Sequence, residues 1–177
     1  SPVTVKLCPS AFGLKAATST KNGACEACVL GTNYSPSESP NACVAVQVKS
    51  CSSGRGFIAS TLTSDARCTA CAGGKTWKAG DNKDACGAVT TKVCGPGFYL
   101  VPATAASNGQ CKPCVLGTTW KSGTNADEFC QDVSARTCTP GSGTGFVAAT
   151  RTVDATCATC STGMFALGGT QICTAHT

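Results

Sequence analysis

Valine and polar residues alternate in four short segments, each followed directly by a cysteine. Each segment begins with Val and a polar residue and carries Lys or Arg at its fourth position. The segments span 3–7, 46–50, 89–93 and 133–137, and their basic residues are Lys6, Lys49, Lys92 and Arg136. β-Branched residues at period two predict a short strand in each. The basic side chains then form a solvated face, or alternatively a stripe that recruits an acidic ligand.

The cysteines repeat with the same rhythm. Each group of four has a first cysteine, a gap of 16 to 18 residues, a CxxC pair, a gap of 12 to 15 residues and a last cysteine. The groups are Cys8, Cys25, Cys28, Cys43; Cys51, Cys68, Cys71, Cys86; Cys94, Cys111, Cys114, Cys130; and Cys138, Cys157, Cys160, Cys173. Seven residues separate successive groups. The chain therefore comprises four repeats, at residues 1–43, 44–86, 87–130 and 131–177.

A glycine and then an aromatic residue follow the cysteine in nearly every half-repeat. The pairs are Gly31 and Tyr34, Gly54 and Phe57, Gly74 and Trp77, Gly97 and Phe98, Gly117 and Trp120, Gly141 and Phe146, and Gly163 and Phe165. The first half-repeat differs, with Ala11 and Phe12 after Cys8-Pro9-Ser10. Glycine permits a tight turn, and the aromatic ring is expected to cover the nearby disulfide.

Repeats alternate in detail. The first and third carry Asn-Gly before the CxxC pair (Asn22-Gly23, Asn108-Gly109), and the second and fourth carry Asp-Ala (Asp65-Ala66, Asp154-Ala155). The larger period is thus a pair of repeats. We expect small disulfide-rich repeats that form an elongated rod of short β-hairpins and turns, with little or no helix and with contacts only between neighbouring repeats.

Composition places the chain in an oxidising, extracellular compartment. Sixteen of 177 residues are cysteine, an even number that permits complete pairing, while aromatic residues make up only 6%. Small units with so little core depend on disulfides. No apolar run is long enough to span a membrane. Because the sequence starts at Ser1, we interpret it as a mature, processed secreted form.

Charge and motif spacing argue against several functions. The net charge is +5, but the basic residues are scattered, which disfavours nucleic-acid binding. Successive CxxC pairs lie about forty residues apart and the only histidine is His176, so neither a zinc site nor a redox motif is expected. The carboxylates are dispersed, with Asp127-Glu128 the one adjacent pair, so we expect no enzyme and no cofactor.

Three disulfide patterns fit the spacing. Each half-repeat could close on itself, as Cys8–Cys25 and Cys28–Cys43; each group could pair first to third and second to fourth; or a staggered scheme could bridge repeats. We favour the first, because the cysteine, glycine, aromatic signature restarts in every half-repeat. Asn33 begins the only N-glycosylation sequon, and Pro36 after it disfavours use. Abundant Ser and Thr permit O-glycosylation.

Two family resemblances follow from these motifs. Cys94-Gly95-Pro96-Gly97-Phe98-Tyr99 and Cys114-Val115-Leu116-Gly117-Thr118-Thr119-Trp120 resemble the cysteine-rich modules of ephrin receptors and tumour necrosis factor receptors. The whole chain, with its paired CxxC periodicity and Ala/Thr/Gly/Ser-rich loops, is similar to the immobilization antigens of ciliated protozoa and to other repeated-CxxC surface proteins of protists. This resemblance implies a secreted coat protein, often lipid-anchored, with no catalytic site; the anchoring tail would have been lost in processing.

The sequence therefore predicts a structural coat or fibre protein of the cell surface, with neighbouring coat molecules as partners. A receptor-like ectodomain that binds a protein or glycan ligand is the alternative, with the stretches Cys114–Cys130 and Cys138–Cys157 as candidate binding loops. Both chain ends resemble interrupted junctions between repeats. We expect the strand around Val3 and Val5 of one molecule to dock beside Cys160 and Cys173 of the next, or else a monomeric rod or trimmed stalk.

Overall fold

The protein is built of β-hairpins. The computed structural model describes residues 6–18, 21–134, 137–140 and 142–175, and in these ranges it has sixteen short strands and no helix. The strands pair in sequence order into eight antiparallel two-stranded sheets, so each sheet is one hairpin. The prediction of disulfide-rich β-hairpin repeats is confirmed, while the elongation of the chain stays a prediction.

Each repeat begins with a long hairpin of four-residue strands. These are β1 Phe12–Lys15 with β2 Ala24–Ala27, β5 Arg55–Ile58 with β6 Arg67–Ala70, β9 Phe98–Val101 with β10 Gln110–Pro113, and β13 Thr144–Val147 with β14 Thr156–Thr159. The loop of each long hairpin is closed by the same backbone hydrogen bond, as from Thr61 N to Ser64 O (3.0 Å) and from Thr150 N to Val153 O (3.0 Å). We call this segment the hairpin loop.

A short hairpin of two-residue strands follows each long hairpin, and in the first three repeats its second strand lies just past the predicted repeat boundary. The short hairpins are β3 Asn33–Tyr34 with β4 Val44–Ala45, β7 Thr76–Trp77 with β8 Gly87–Ala88, β11 Thr119–Trp120 with β12 Gln131–Asp132, and β15 Met164–Phe165 with β16 Thr174–Ala175. The long and short hairpins of a repeat are linked through the backbone of its first cysteine. Cys8 and Ser39, for example, exchange N–H···O bonds of 2.9 and 3.0 Å.

Glycines with left-handed backbone begin the hairpins, as predicted. Gly54 has φ 80° and Gly97 has φ 78°, values that a side chain would strain. At the equivalent place in the first repeat, Ala11 adopts φ 68° and is the only described non-glycine residue with positive φ. Gly141, which we paired with Phe146, lies outside the described residues, and Gly143 (φ 66°) makes this turn in the fourth repeat.

All sixteen cysteines form disulfides, and each disulfide closes one half-repeat. The pairs are Cys8–Cys25, Cys28–Cys43, Cys51–Cys68, Cys71–Cys86, Cys94–Cys111, Cys114–Cys130, Cys138–Cys157 and Cys160–Cys173. This is the first of the three patterns that the spacing allows. Each closed loop contributes roughly 3 kcal/mol in the chain-entropy model. The disulfides thus replace the apolar core that the hairpins lack.

The described chain divides into two compact units. The first comprises Ser1–Ala88 together with Thr104–Asn108, the hairpin loop of the third repeat. The second comprises Val89–Ala103 and Gly109–Thr177. Each unit therefore contains neighbouring repeats and the contacts between them.

Two connecting segments that the structure describes in full, residues 46–50 and 89–93, are not strands, so the prediction was wrong for them. The first valine bonds to the preceding short hairpin, as from Val46 N to Thr32 O (2.9 Å), and the next amide, of Gln47, bonds to a side chain instead of a strand. The valine side chains point inward, with Val46 only 5% exposed. Lys49 and Lys92 lie in solvent, while Val3, Val5 and Arg136 fall outside the described residues.

The expectation of one covering aromatic per half-repeat is also wrong in places. Phe57 and Phe146 are half-buried, but Phe98 is 42% exposed. The strand register shows why: the residue that pairs with the second cysteine is Phe57 in the second repeat and Leu100 in the third. Leu100, which is 7% exposed, takes the inward position there.

Candidate functional site: the joint between repeats

Neighbouring repeats meet through one recurring backbone hydrogen bond. The residue after the short-hairpin aromatic donates its N–H to a carbonyl in the hairpin loop of the following repeat. The three bonds are Ser35 to Leu62 (2.9 Å), Lys78 to Ala105 (3.0 Å) and Lys121 to Arg151 (2.9 Å), and each lies within one of the two compact units. We call the contact around this bond the joint. This bond recurs after each of the first three repeats.

A small apolar cluster fills the joint in the second unit. Val133, Ala149 and Ala155 are each buried, at 6%, 6% and 2% exposed. Trp120 of the third repeat and Phe146 of the fourth pack against them. The small residues Ala149 and Ala155 let the hairpin loop approach the tryptophan ring closely, so the joint combines one directional hydrogen bond with apolar burial.

The hairpin loop of the next repeat also lies over the left-handed turn glycine. A Cβ added to Gly54 would sit 3.6 Å from the Ala105 Cβ. A Cβ added to Gly97 would sit 3.2 Å from the Arg151 Cβ, and the Arg151 Nε–H donates to the Cys114 carbonyl at 3.1 Å. Glycine at this position thus provides both the turn and space for the next repeat.

Two lysines are buried beside the joint. Lys78 and Lys121, each 3% exposed, take the position that Ser35 holds in the first repeat and Ala166 in the fourth. The Lys78 ammonium donates to the carbonyls of Cys51 (2.6 Å), Gly80 (2.8 Å) and Ser52 (3.3 Å). Backbone carbonyls thus replace water around the buried charge.

Lys121 makes an equivalent cage with the carbonyls of Cys94 and Phe98, each at 3.0 Å. Each lysine therefore fastens a short hairpin to the opening cysteine of its own repeat. Sequence reasoning missed both residues. The available signal was the dipeptide Trp-Lys at positions 77–78 and 120–121, which repeats at the period of the chain.

The aspartates of the Asp-Ala motifs hold the connecting segments. Asp65 accepts hydrogen bonds from the amides of Gln47 (3.1 Å) and Ala66 (2.7 Å). Asp154 accepts from the Ser134 amide (3.0 Å) and from the Ser134 hydroxyl. Hydrogen bonding by Ser134 lowers the pKa of Asp154 below its usual 3.8. In the second and fourth repeats the carboxylate of the Asp-Ala motif thus binds the connecting segment.

In the third repeat, which has Asn-Gly instead, the segment approaches the glycine directly. A Cβ on Gly109 would lie 2.3 Å from the Thr91 carbonyl oxygen. Glycine at position 109 thus leaves room for the close approach of the connecting segment in the third repeat.

The candidate binding loop Cys114–Cys130 borders an open groove of about 350 Å³. Tyr99, Val115, Glu128 and Phe129 line it, and Phe129 is 79% exposed. Tyr99 stands where the other repeats have glycines so close to the last cysteine that a Cβ on Gly56 would meet Cys86 N at 2.6 Å. The third repeat accommodates a tyrosine because its Cys114–Cys130 loop is one residue longer than the corresponding loop of the second.

The sequence also singled out the sequon residue Asn33, the histidine His176 and the CxxC cysteines. Asn33 lies in β3, half-buried, with its Oδ1 accepting from Val29 N at 2.6 Å, and Ser35 of the same sequon is 3% exposed. His176 lies outside the described residues. Every cysteine sulfur is in a disulfide. Across the described ranges no three His, Cys, Asp or Glu side chains gather as they would around a metal ion.

No protein-family model matches the chain, and no curated protein matches its sequence. In the part of the chain that the structure describes, no helix has the length and apolar character needed to cross a membrane.

Proposed function

We propose that this chain is a structural protein of the extracellular surface, a coat or fibre component built from tandem disulfide-closed repeats. The observation that supports the proposal best is the recurrence of the joint. The same donor position meets the same loop position after each of the first three repeats, at 2.9, 3.0 and 2.9 Å. A contact that every repeat can make with the next is the basis of linear architectures, in which neighbours alone determine stability.

The covalent framework supports an extracellular location. Eight disulfides in a chain of this size are typical of proteins that fold in an oxidising compartment and persist outside the cell. Each hairpin stays closed even when its surroundings open. Such a chain resists unfolding and proteolysis, which suits a coat exposed to the environment.

The proposal assigns no catalytic role. Several carboxylates are already engaged in holding the chain together: Asp65 and Asp154 bind backbone amides, and Asp127 accepts from the Asn125 side chain at 2.6 Å. The Glu26 carboxylate pairs with Lys15 at 2.8 Å on the open surface. Carboxylates engaged in this way stabilise the fold rather than transfer protons.

One observation favours the alternative, a receptor-like ectodomain. The equivalent groove of the first repeat is lined by Gly13 and Ala42, whereas the third repeat places the rings of Tyr99 and Phe129 there, and Phe129 is 79% exposed. A protein or glycan ligand would stack on these rings. Phe129→Ala should then abolish binding of a glycan from a defined saccharide array, with Phe98→Ala, also an exposed phenylalanine, as the control.

Immunogold electron microscopy of the source cells tests the proposal. Antibodies raised against the oxidised, folded chain should label the outer surface or its matrix as a dense, continuous layer. Sparse labelling at discrete sites, together with saturable micromolar binding of one array glycan, would favour the receptor-like alternative. Labelling confined to the cell interior would exclude both.

A further inference from the structure

The joint between the first and second repeats contains an open pocket of about 280 Å³, which lies within the first compact unit. Most of its lining is apolar: Val46 is 5% exposed, and Val48 and Phe57 are half-buried. Leu30 also lines the pocket, although 66% of its surface is exposed. The volume is close to the lower end of the range for small-molecule sites, so the pocket suits a small ligand with an apolar part.

The charge around this pocket has one sign. Lys49 and Lys83 line it, and no carboxylate is among the lining residues. Both lysines are exposed, and neither ammonium group has a hydrogen-bond or ion-pair partner among the described residues. Lys49 is one of the four basic residues for which the sequence allows a role in recruiting an acidic ligand. Two positive charges beside an apolar pocket attract an anion.

A buried serine lines the same pocket. Ser60 is 8% exposed, and its hydroxyl has no hydrogen-bond partner in the described ranges of the chain. The joint itself does not require a hydroxyl here, because the fourth repeat has Ala149 at this position, in the apolar cluster of its own joint. A buried donor that lacks an acceptor is costly, so the Ser60 hydroxyl is suited to an acceptor that a ligand supplies.

Ser60 and Lys83 distinguish the second repeat from the other three. The residue before the hairpin-loop threonine is an alanine elsewhere, at Ala17, Ala103 and Ala149. Lys83 follows the residue that bridges to the opening cysteine, and the residues at its position elsewhere are Pro40, Ala126 and Thr170. Two differences that lie far apart in the sequence thus place polar groups at one pocket.

We propose that this pocket binds a small anionic amphiphile free in solution, an alkyl chain that ends in a carboxylate or phosphate group. The Ser60 hydroxyl and the ammonium groups of Lys49 and Lys83 donate to the oxygens of the head group, and the chain covers Leu30 and Phe57. Burial of the chain supplies affinity, and the charged hydrogen bonds select an anion. The inference goes beyond the coat or fibre function and does not depend on it.

Two variants remove the polar groups without introducing residues foreign to the fold. Ser60→Ala and Lys83→Thr introduce the residue types that the fourth repeat carries as Ala149 and Thr170. Lys75→Thr is the matched control, because Lys75 is exposed in the turn before β7 and does not line the pocket. Intact mass without reductant confirms eight disulfides in each variant.

Titration of the isotope-labelled, oxidised protein with octanoate at neutral pH, followed by amide chemical shifts, measures binding. The amides of Gly31 and Val48 should shift and saturate in the millimolar range or below, and octyl phosphate should give the same pattern. Ser60→Ala should weaken binding about ten-fold and Lys83→Thr about two- to five-fold, while Lys75→Thr should bind like the wild type. Acetate lacks the chain and octyl glucoside lacks the charge, so each should bind about ten-fold more weakly than octanoate.

The absence of saturable shifts with both octanoate and octyl phosphate would overturn the inference. Binding that neither Ser60→Ala nor Lys83→Thr weakens would overturn it too, because the ligand would then occupy another surface. Acetate that binds as tightly as octanoate would show that the chain contributes nothing. Shifts that appear only with phosphatidylglycerol vesicles would assign this surface to a membrane instead. None of these results affects the coat function, which the immunogold experiment tests separately.

Discussion

The Nζ of Lys78 lies 2.6 Å from the carbonyl oxygen of Cys51, so a buried cation holds the short hairpin of the second repeat against that repeat's opening cysteine. Bonds to Gly80 and Ser52 complete the cage. The first and fourth repeats have Ser35 and Ala166 at this position. The buried lysine is therefore a feature of the second and third repeats, as Lys78 and Lys121.

Replacing Lys78 by methionine should lower the free energy of unfolding of the second repeat by about 1–3 kcal/mol, because the buried carbonyls lose their donor. Native-state hydrogen exchange at Asn82, whose amide bonds to the Cys51 carbonyl, measures the loss. Lys75→Met is the control, since Lys75 is exposed. Equal protection in both variants would show that the cage contributes nothing.

Replacing Ala11 by glycine should stabilise the first repeat by about 1 kcal/mol, because φ 68° strains a side chain and not a glycine. The control, Ala27→Gly in β2, should destabilise it by about 0.5–1 kcal/mol. Thermal unfolding of the oxidised protein compares the two. Shifts of the same sign would contradict the assigned conformation of Ala11.

Adding one methyl group at Gly56 should disturb the second repeat, because the new Cβ would lie 2.6 Å from Cys86 N and 2.7 Å from its Sγ. We expect a loss of about 1–3 kcal/mol or incomplete Cys71–Cys86 pairing. Gly87→Ala is the control, since its Cβ would meet nothing closer than 3.9 Å. Denaturant titration and intact mass give the comparison. A Gly56→Ala protein as stable as Gly87→Ala would contradict the packing.

The Ser134 amide should report the ionisation of Asp154. Because the folded pKa lies below 3.8, the ionised carboxylate stabilises the fold above about pH 4, and this stabilisation is lost as pH falls through the folded pKa. The amide chemical shift should therefore titrate with a midpoint below 3.8. Asp154→Asn should remove the transition. A midpoint at or above the ordinary value would mean that the hydrogen bonds with Ser134 do not persist in solution.

The sequence predicts most of the hairpin framework, because cysteine spacing and turn glycines are local signals. Gly54 and Gly97 adopt the left-handed turns expected of them. The errors come from non-local contacts. Val46 is β-branched, yet it is buried in an irregular segment because no strand lies beside it.

The burial of Lys78 and the exposure of Phe98 could not be predicted from the sequence either. A lysine ammonium ordinarily lies in water, and Lys78 can be buried only because backbone carbonyls accept its hydrogen bonds. Phe98 follows a turn glycine like its counterparts, but the strand register turns Leu100 inward instead. Groups from other parts of the chain determine the burial of Lys78 and the exposure of Phe98. The local sequence pattern does not indicate where those groups lie.

The disulfide pattern is the central claim, since every hairpin and joint depends on it. Digestion without reductant, followed by electron-transfer fragmentation to separate the two cysteines of each CxxC pair, measures it directly. The account predicts Cys8–Cys25 and Cys28–Cys43, and the same pairing in the other three repeats, with no free thiol. Peptides that join Cys8 to Cys28 and Cys25 to Cys43, or Cys28 to Cys51, would contradict it.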